Sequence, residues 1–74
     1  MVKTSVVIVT WNKKKDLIEV LNGLNKTLTR DFSLEVIVVD NGSSDGSYQA
    51  ALDFFTNNKR MTYKLFNYWG KKYG

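Results

Sequence analysis

The chain has 74 residues and contains neither cysteine nor histidine, so composition excludes disulfide frameworks, Cys/His zinc sites, thiol nucleophiles and histidine-based triads. Eleven Lys and Arg against seven Asp and Glu leave a net charge of +4, a mild bias toward anionic partners such as phosphates. Compact domains usually run to about 100 to 150 residues, so the chain is expected to be one domain or less, and its longest apolar run near the N-terminus, Val6 to Val9, is too short for a signal peptide or a membrane span.

Thr4 to Thr10 is a β-branched run, and Leu34 to Asp40 is a second of similar length. Both have the composition of strands buried on two faces. Between them Leu17, Val20, Leu21, Leu24 and Leu28 fall at helical spacing and form one apolar stripe. Asn12 stands just before this helix as its expected cap, and the stretch Thr29 to Phe32 ends it. After the second strand, Ser43 or Ser44 is expected to cap another helix with the face Tyr48, Ala51, Leu52 and Phe55, closed by Asn57 and Asn58. Met61 to Phe66 reads as a third strand. The predicted order is βαβαβ, with no repeat beyond that alternation and no linker dividing the chain.

Crossovers between parallel strands are right-handed in nearly all cases, so a unit that adds strands in one direction carries both helices on the same face. The opposite face is then bare. Val6 to Val9 and Val36 to Val39 are apolar throughout, so the alternate set pointing away from the helices also requires cover. Further chain, a second copy or a partner would supply it, which makes self-association through this face one expectation.

Chemistry concentrates at the two strand ends. Asp40 closes a buried strand and leads into Asn41-Gly42. A carboxylate there suits a base N–H or a pair of ribose hydroxyls, and it equally suits a turn in which the side chain bonds its own backbone. Trp11 lies beside Asn12 in a polar turn, where the indole either stacks on a base or covers the edge of the core. Asn12 either shapes the loop, touches a ligand or caps the helix. Lys13, Lys14 and Lys15 fall in the first helical turn, close to backbone N–H groups that attract anions, though such a run is more often a solvated face.

Other readings fail on inspection. Thr10 to Asp16 contains no glycine and no GxxxxGK[ST] occurs, which argues against NAD, FAD and Walker-type ATP sites. A calcium loop with Gly46 sixth would place Leu52 where a bidentate Glu is required. The tail from Lys59 to Gly74 mixes basic and aromatic residues, among them Lys71, Lys72, Trp69 and Tyr73. That composition fits single-stranded nucleic acid, yet the modest charge and the lack of an RNP-type signature favour an ordinary strand with a solvated end, and no nucleic-acid partner is expected.

Val7-Ile8-Val9-Thr10-Trp11-Asn12 and Val36-Ile37-Val38-Val39-Asp40-Asn41-Gly42-Ser43-Ser44-Asp45-Gly46-Ser47 together resemble the opening of a family 2 glycosyltransferase of the GT-A fold, over Thr4 to about Gly70. The resemblance implies an α/β fold: a βαβαβ Rossmann-like half of a GT-A domain, with three parallel strands and two helices on one face. Residues 1–74 would form a single partial domain, the N-terminal nucleotide-sugar-binding part of such an enzyme. It implies a nucleotide-binding set of Thr10, Trp11, Asn12, Asp40 and Asn41, with Trp11 flanking the base and Asp40 receiving the base or ribose of a UDP- or GDP-type nucleotide-sugar. Asn67 and Gly70-Lys71 loosely resemble a third nucleotide-side loop.

In that family the metal-binding Asp-x-Asp and the catalytic base lie further along the domain. No Asp-x-Asp occurs here, so no catalytic residue, metal ligand or cofactor is assigned within this chain. Mg²⁺ or Mn²⁺ is expected in a full-length relative. Sugar transfer by these 74 residues alone is not expected, and the chain reads as truncated. The resemblance also implies a cytoplasmic location, free or peripheral at the inner membrane face.

Overall fold

The structure, a computed structural model, describes residues 2–28 and 32–68. Strand β1 (Val2–Thr10), helix α1 (Lys14–Lys26), strand β2 (Phe32–Asp40), helix α2 (Ser47–Asn57) and strand β3 (Thr62–Asn67) follow one another in the predicted order. The sheet runs β1-β2-β3 with both pairs parallel. Each crossover therefore moves one strand along in the same direction, and both helices cover one face.

That face holds the core. Leu34, Val36 and Val38 of β2 pack with Leu17 and Leu21 of α1, Ala51 and Phe55 of α2, and the flanking Leu28 and Met61. The register pairs Val36 with Tyr63 and Val38 with Leu65, so these β3 residues also point toward the helices. The Tyr63 ring lies flat on Phe55, with centroids 4.3 Å apart and an interplanar angle of 5°.

The opposite face is open. Val7 is 62% and Val9 66% exposed, and Phe66 is 43% exposed. Val9, Val39 and Phe66 form one cross-strand row. Further toward the strand starts the open face turns polar: Ser5 donates its hydroxyl proton to Glu35 at 3.2 Å, and the Lys64 ammonium stands 3.9 Å from the same carboxylate. Strands whose composition suits two buried faces thus have only one covered within the described residues.

Several boundaries and faces differ from expectation. Strands β1 and β2 each begin two residues earlier than the β-branched runs, and β3 is shifted one residue onward; Met61 instead packs in the core. Val20 is 47% exposed because the buried stripe of α1 runs Leu17, Leu21 and then Leu28 beyond the helix end, with Leu24 half-buried. Helix α1 stops at Lys26, where the Thr27 hydroxyl and backbone N–H both donate to the Leu24 carbonyl. On α2 the buried positions are Ser47, Ala51 and Phe55, while Tyr48 and Leu52 are only half-buried. Thr29, Arg30 and Asp31, and Trp69 to Gly74 with the loop resemblance at Gly70-Lys71 and the end of the basic-aromatic tail, lie outside the described residues.

Candidate nucleotide site at the strand ends

The parallel register sets Thr10 directly beside Asp40. The ladder then continues past the strands: the Asn41 N–H donates to the Thr10 carbonyl at 2.9 Å, and the Tyr68 N–H donates to the Asp40 carbonyl at 3.0 Å. Two loops consequently leave the sheet side by side, residues 11–13 after β1 and residues 41–46 after β2.

Asn12 joins them. Its backbone sits at φ 50°, a left-handed conformation that Asn tolerates better than most side chains. From there its N–H donates to the Ser43 hydroxyl at 2.8 Å, and its Oδ1 accepts the Ser44 N–H at 2.7 Å. The expectation that Asn12 caps α1 is corrected: the capping position is Lys13, without a side-chain cap bond. Left-handed backbone aims the Asn12 amide across to the second loop instead of back onto its own helix.

The expected Ser43 or Ser44 cap on α2 is also corrected. Ser43 is buried; its N–H at 3.1 Å and its hydroxyl at 2.5 Å both donate to Asp40 Oδ1. Helix α2 begins later, after Gly46, whose φ of 87° turns the chain sharply into Ser47. Asp45 does the capping. Its Oδ1 accepts the Ser47 N–H at 3.0 Å and the Ser47 hydroxyl at 2.5 Å, while its Oδ2 accepts the Lys14 N–H at the start of α1 at 3.0 Å. The Ser47 hydroxyl bond, reinforced by the N–H groups of Lys14 and Ser47, holds the Asp45 carboxyl below the usual carboxylate range against the opposing effect of desolvation.

The five residues expected at the site sit in different environments. Asp40 is 0% exposed; Oδ1 is committed to Ser43, and Oδ2 has no partner among the described residues. Thr10 is buried, Asn12 half-buried and Asn41 exposed, and the Trp11 indole is 60% exposed. Thr10 and Trp11 share a shallow depression of about 280 Å³ with Ile8, Leu17 and Val20, at β1, the outer strand of the described sheet. Asn12 lines a second, of about 380 Å³, with Lys13, Lys14, Lys15, Asp16 and Asp45. Asp40 and Asn41 line neither of these two. The three lysines therefore do surround an open depression at a helix start, but the Lys14 N–H there already has Asp45 as its anion.

Sequence reasoning did not single out Ser43, Ser44 and Asp45 as the residues that build the loop pair. The one local signal was Asp45-Gly46-Ser47, an Asp two residues ahead of a helix with a glycine between.

Among the described residues no group of three His, Cys, Asp or Glu side chains could hold a metal ion, and both oxygens of Asp45 are spent. These residues do not fit the divalent ion common in family 2 glycosyltransferases. Nor is any helix among them long and apolar enough to cross a membrane.

An open parallel sheet with polar loops at the carboxyl ends of its strands defines the chain as an α/β protein of the kind that binds ligands at those ends. The family model described as glycosyl transferase family 2 matches residues 5–72, and the chain belongs to that family. The fold is accordingly the Rossmann-like arrangement of a GT-A domain, and the chemistry it serves is glycosyl transfer. No curated protein and no solved structure matched.

Proposed function

We propose that residues 1–74 act as the nucleotide-sugar-binding part of a glycosyltransferase domain, taking the nucleotide of a UDP- or GDP-type donor at the tips of β1 and β2. The observation that carries this reading is the pairing of Thr10 with Asp40 in a parallel ladder, which delivers Trp11 and the Asp40 carboxyl to one end of the sheet. Family membership supplies the reaction class.

In this reading the exposed Trp11 indole is the surface on which the base stacks. Thr10, Asn12 and Asn41 shape the loop around it. Asp40 contributes Oδ2, a buried acceptor with no donor among the described residues. Leaving such an atom unsatisfied is costly, and a base N–H or ribose hydroxyl would satisfy it. No catalytic residue is assigned, and the cytoplasmic location, free or at the inner membrane face, is carried over from the family resemblance.

Calorimetry with UDP and GDP on the parent and on Asp40→Asn tests the role of Asp40. The amide retains an oxygen for Ser43 but replaces the Oδ2 acceptor with a donor, so nucleotide heat should fall sharply. Equal heats from both proteins would remove Asp40 from the site.

The uncovered sheet face favours a second reading, in which Val7, Val9 and Phe66 are buried against a second copy of the chain. Sedimentation over a range of concentrations, without nucleotide, would then show a dimer. A strictly monomeric folded species would eliminate it.

A further inference from the structure

The two loops at the strand ends are held together by side chains of one loop acting on the backbone of the other. Three side-chain-to-backbone bonds tie the first loop and the start of α1 to the second loop: Asn12 N–H to the Ser43 hydroxyl, Ser44 N–H to Asn12 Oδ1, and Lys14 N–H to Asp45 Oδ2, while the Ser44 hydroxyl adds a longer side-chain bond to Asn12 Oδ1 at 3.4 Å. Only the first is buried at its accepting end, and only there does the acceptor also bond a residue of the proposed site. The Ser43 hydroxyl gives its single proton to Asp40 Oδ1 at 2.5 Å and accepts from Asn12 at 2.8 Å. A hydroxyl has one donor and two acceptor sites, so this pair of bonds fixes its rotor. Asp40 ends the central strand with 0% exposure, and the ladder holds its backbone: its carbonyl accepts the Tyr68 N–H, and the following N–H, that of Asn41, donates to Thr10.

We propose that Ser43 is the positioning residue of the nucleotide site, its hydroxyl carrying the fixed position of Asp40 to the backbone of Asn12 and so setting where the Trp11 indole stands. The proposal rests on the nucleotide-binding reading above and extends it to a residue that touches no ligand. Asn12 adopts a left-handed φ of 50° immediately after Trp11, a conformation unfavourable for L-residues unless the surroundings enforce it. The Ser43 and Ser44 bonds provide that enforcement. Without the hydroxyl, the Asn12 N–H loses its acceptor and one bond of Asp40 Oδ1 goes with it. The loop relaxes, and the indole no longer has one place.

The test separates this arrangement from nucleotide binding. Trp11 and Trp69 are the two tryptophans, so a Trp69→Phe background leaves Trp11 as the only indole reporter. In that background Ser43→Ala should keep the parent far-UV spectrum, alter acrylamide quenching of Trp11 in the absence of nucleotide, and weaken UDP and GDP about tenfold. Ser43→Thr, which retains the hydroxyl, should restore both. A folded Ser43→Ala with the quenching and affinity of its parent overturns the proposal.

Amide exchange on the unmutated chain gives a measurement that does not depend on a variant folding. The Asn12 amide lies outside every strand and helix, yet it should exchange at least about tenfold more slowly than an unstructured amide. Exchange at the unstructured rate would show that the bond to Ser43 is not held. Should the parent bind neither UDP nor GDP, the nucleotide reading fails, while quenching and exchange still decide whether Ser43 positions Trp11.

Discussion

The carboxylate of Asp45 accepts the backbone N–H of Lys14 at 3.0 Å across 31 residues of sequence, and its other oxygen accepts the N–H of Ser47. One anion thus serves the N-termini of both helices, where unpaired N–H groups and the helix dipoles favour negative charge. The hydrogen bond from the Ser47 hydroxyl is the largest cause of the lowered pKa of Asp45, followed among the lowering causes by the two backbone N–H groups.

A carboxyl whose pKa is lower folded than unfolded stabilises the fold fully at pH values above its unfolded pKa, and that contribution is lost as pH falls through the folded pKa. Asp45→Asn should therefore melt below the parent at pH 7. The gap should narrow as the pH drops beneath the ordinary carboxylate range. Thermal unfolding of both proteins between pH 7 and pH 2.5, or about those limits, checks this; a gap independent of pH would mean that the charge of Asp45 contributes nothing.

Phe55 is the second point of vulnerability. Its ring is 2% exposed, lies flat on Tyr63 and meets the edge of Phe54 at 5.9 Å. Truncating a buried Phe to Ala costs about 3 to 5 kcal/mol, and a core of this size supplies only about the same amount in total. Phe55→Ala should leave a largely unfolded chain at 25 °C, or about that temperature, whereas Phe55→Leu should fold with a lowered melting temperature. Circular dichroism distinguishes the two, and a cooperative native-like melt from Phe55→Ala would show that the core is held mainly elsewhere.

The order of elements was legible because each rests on a pattern confined to a few neighbouring residues: β-branched runs for β1 and β2, leucines at helical spacing for α1. The uncovered face was legible too, from the surplus of valine on both sides of those strands. The caps were not. Asn12, Ser43 and Ser44 are good capping types, and nothing local shows that their side chains are claimed by bonds spanning about thirty positions. Asp40 illustrates the limit most clearly. Both of its readings came from residue type, and the structure gives one oxygen to the turn while leaving the other without a donor among the described residues.

Two valines offer a controlled comparison of the sheet faces. Val38 is 0% exposed on the helix side, and Val9 is 66% exposed on the open side. Val→Thr keeps the shape and β propensity while adding a hydroxyl. Val38→Thr should lower stability by about 1 to 3 kcal/mol, the cost of burying a polar group without a partner. Val9→Thr should stay within about 0.5 kcal/mol. Denaturant unfolding measures both, and a large cost at Val9 would reveal that something covers the open face in solution.

Trp11 separates ligand contact from structural support. An indole covering the core edge contributes to stability whether or not nucleotide is present; a stacking surface contributes only to binding. At 60% exposure, Trp11→Ala should shift the unfolding free energy by no more than about 0.5 kcal/mol. Loss of a base-stacking partner removes about 1 to 3 kcal/mol of binding, so UDP affinity should drop roughly tenfold to a hundredfold. Trp11→Phe, which keeps an aromatic face, should recover most of that loss. Calorimetry and denaturant unfolding on the same three proteins settle the matter: a substantial stability loss in Trp11→Ala with unchanged nucleotide affinity would assign the indole to the edge of the core.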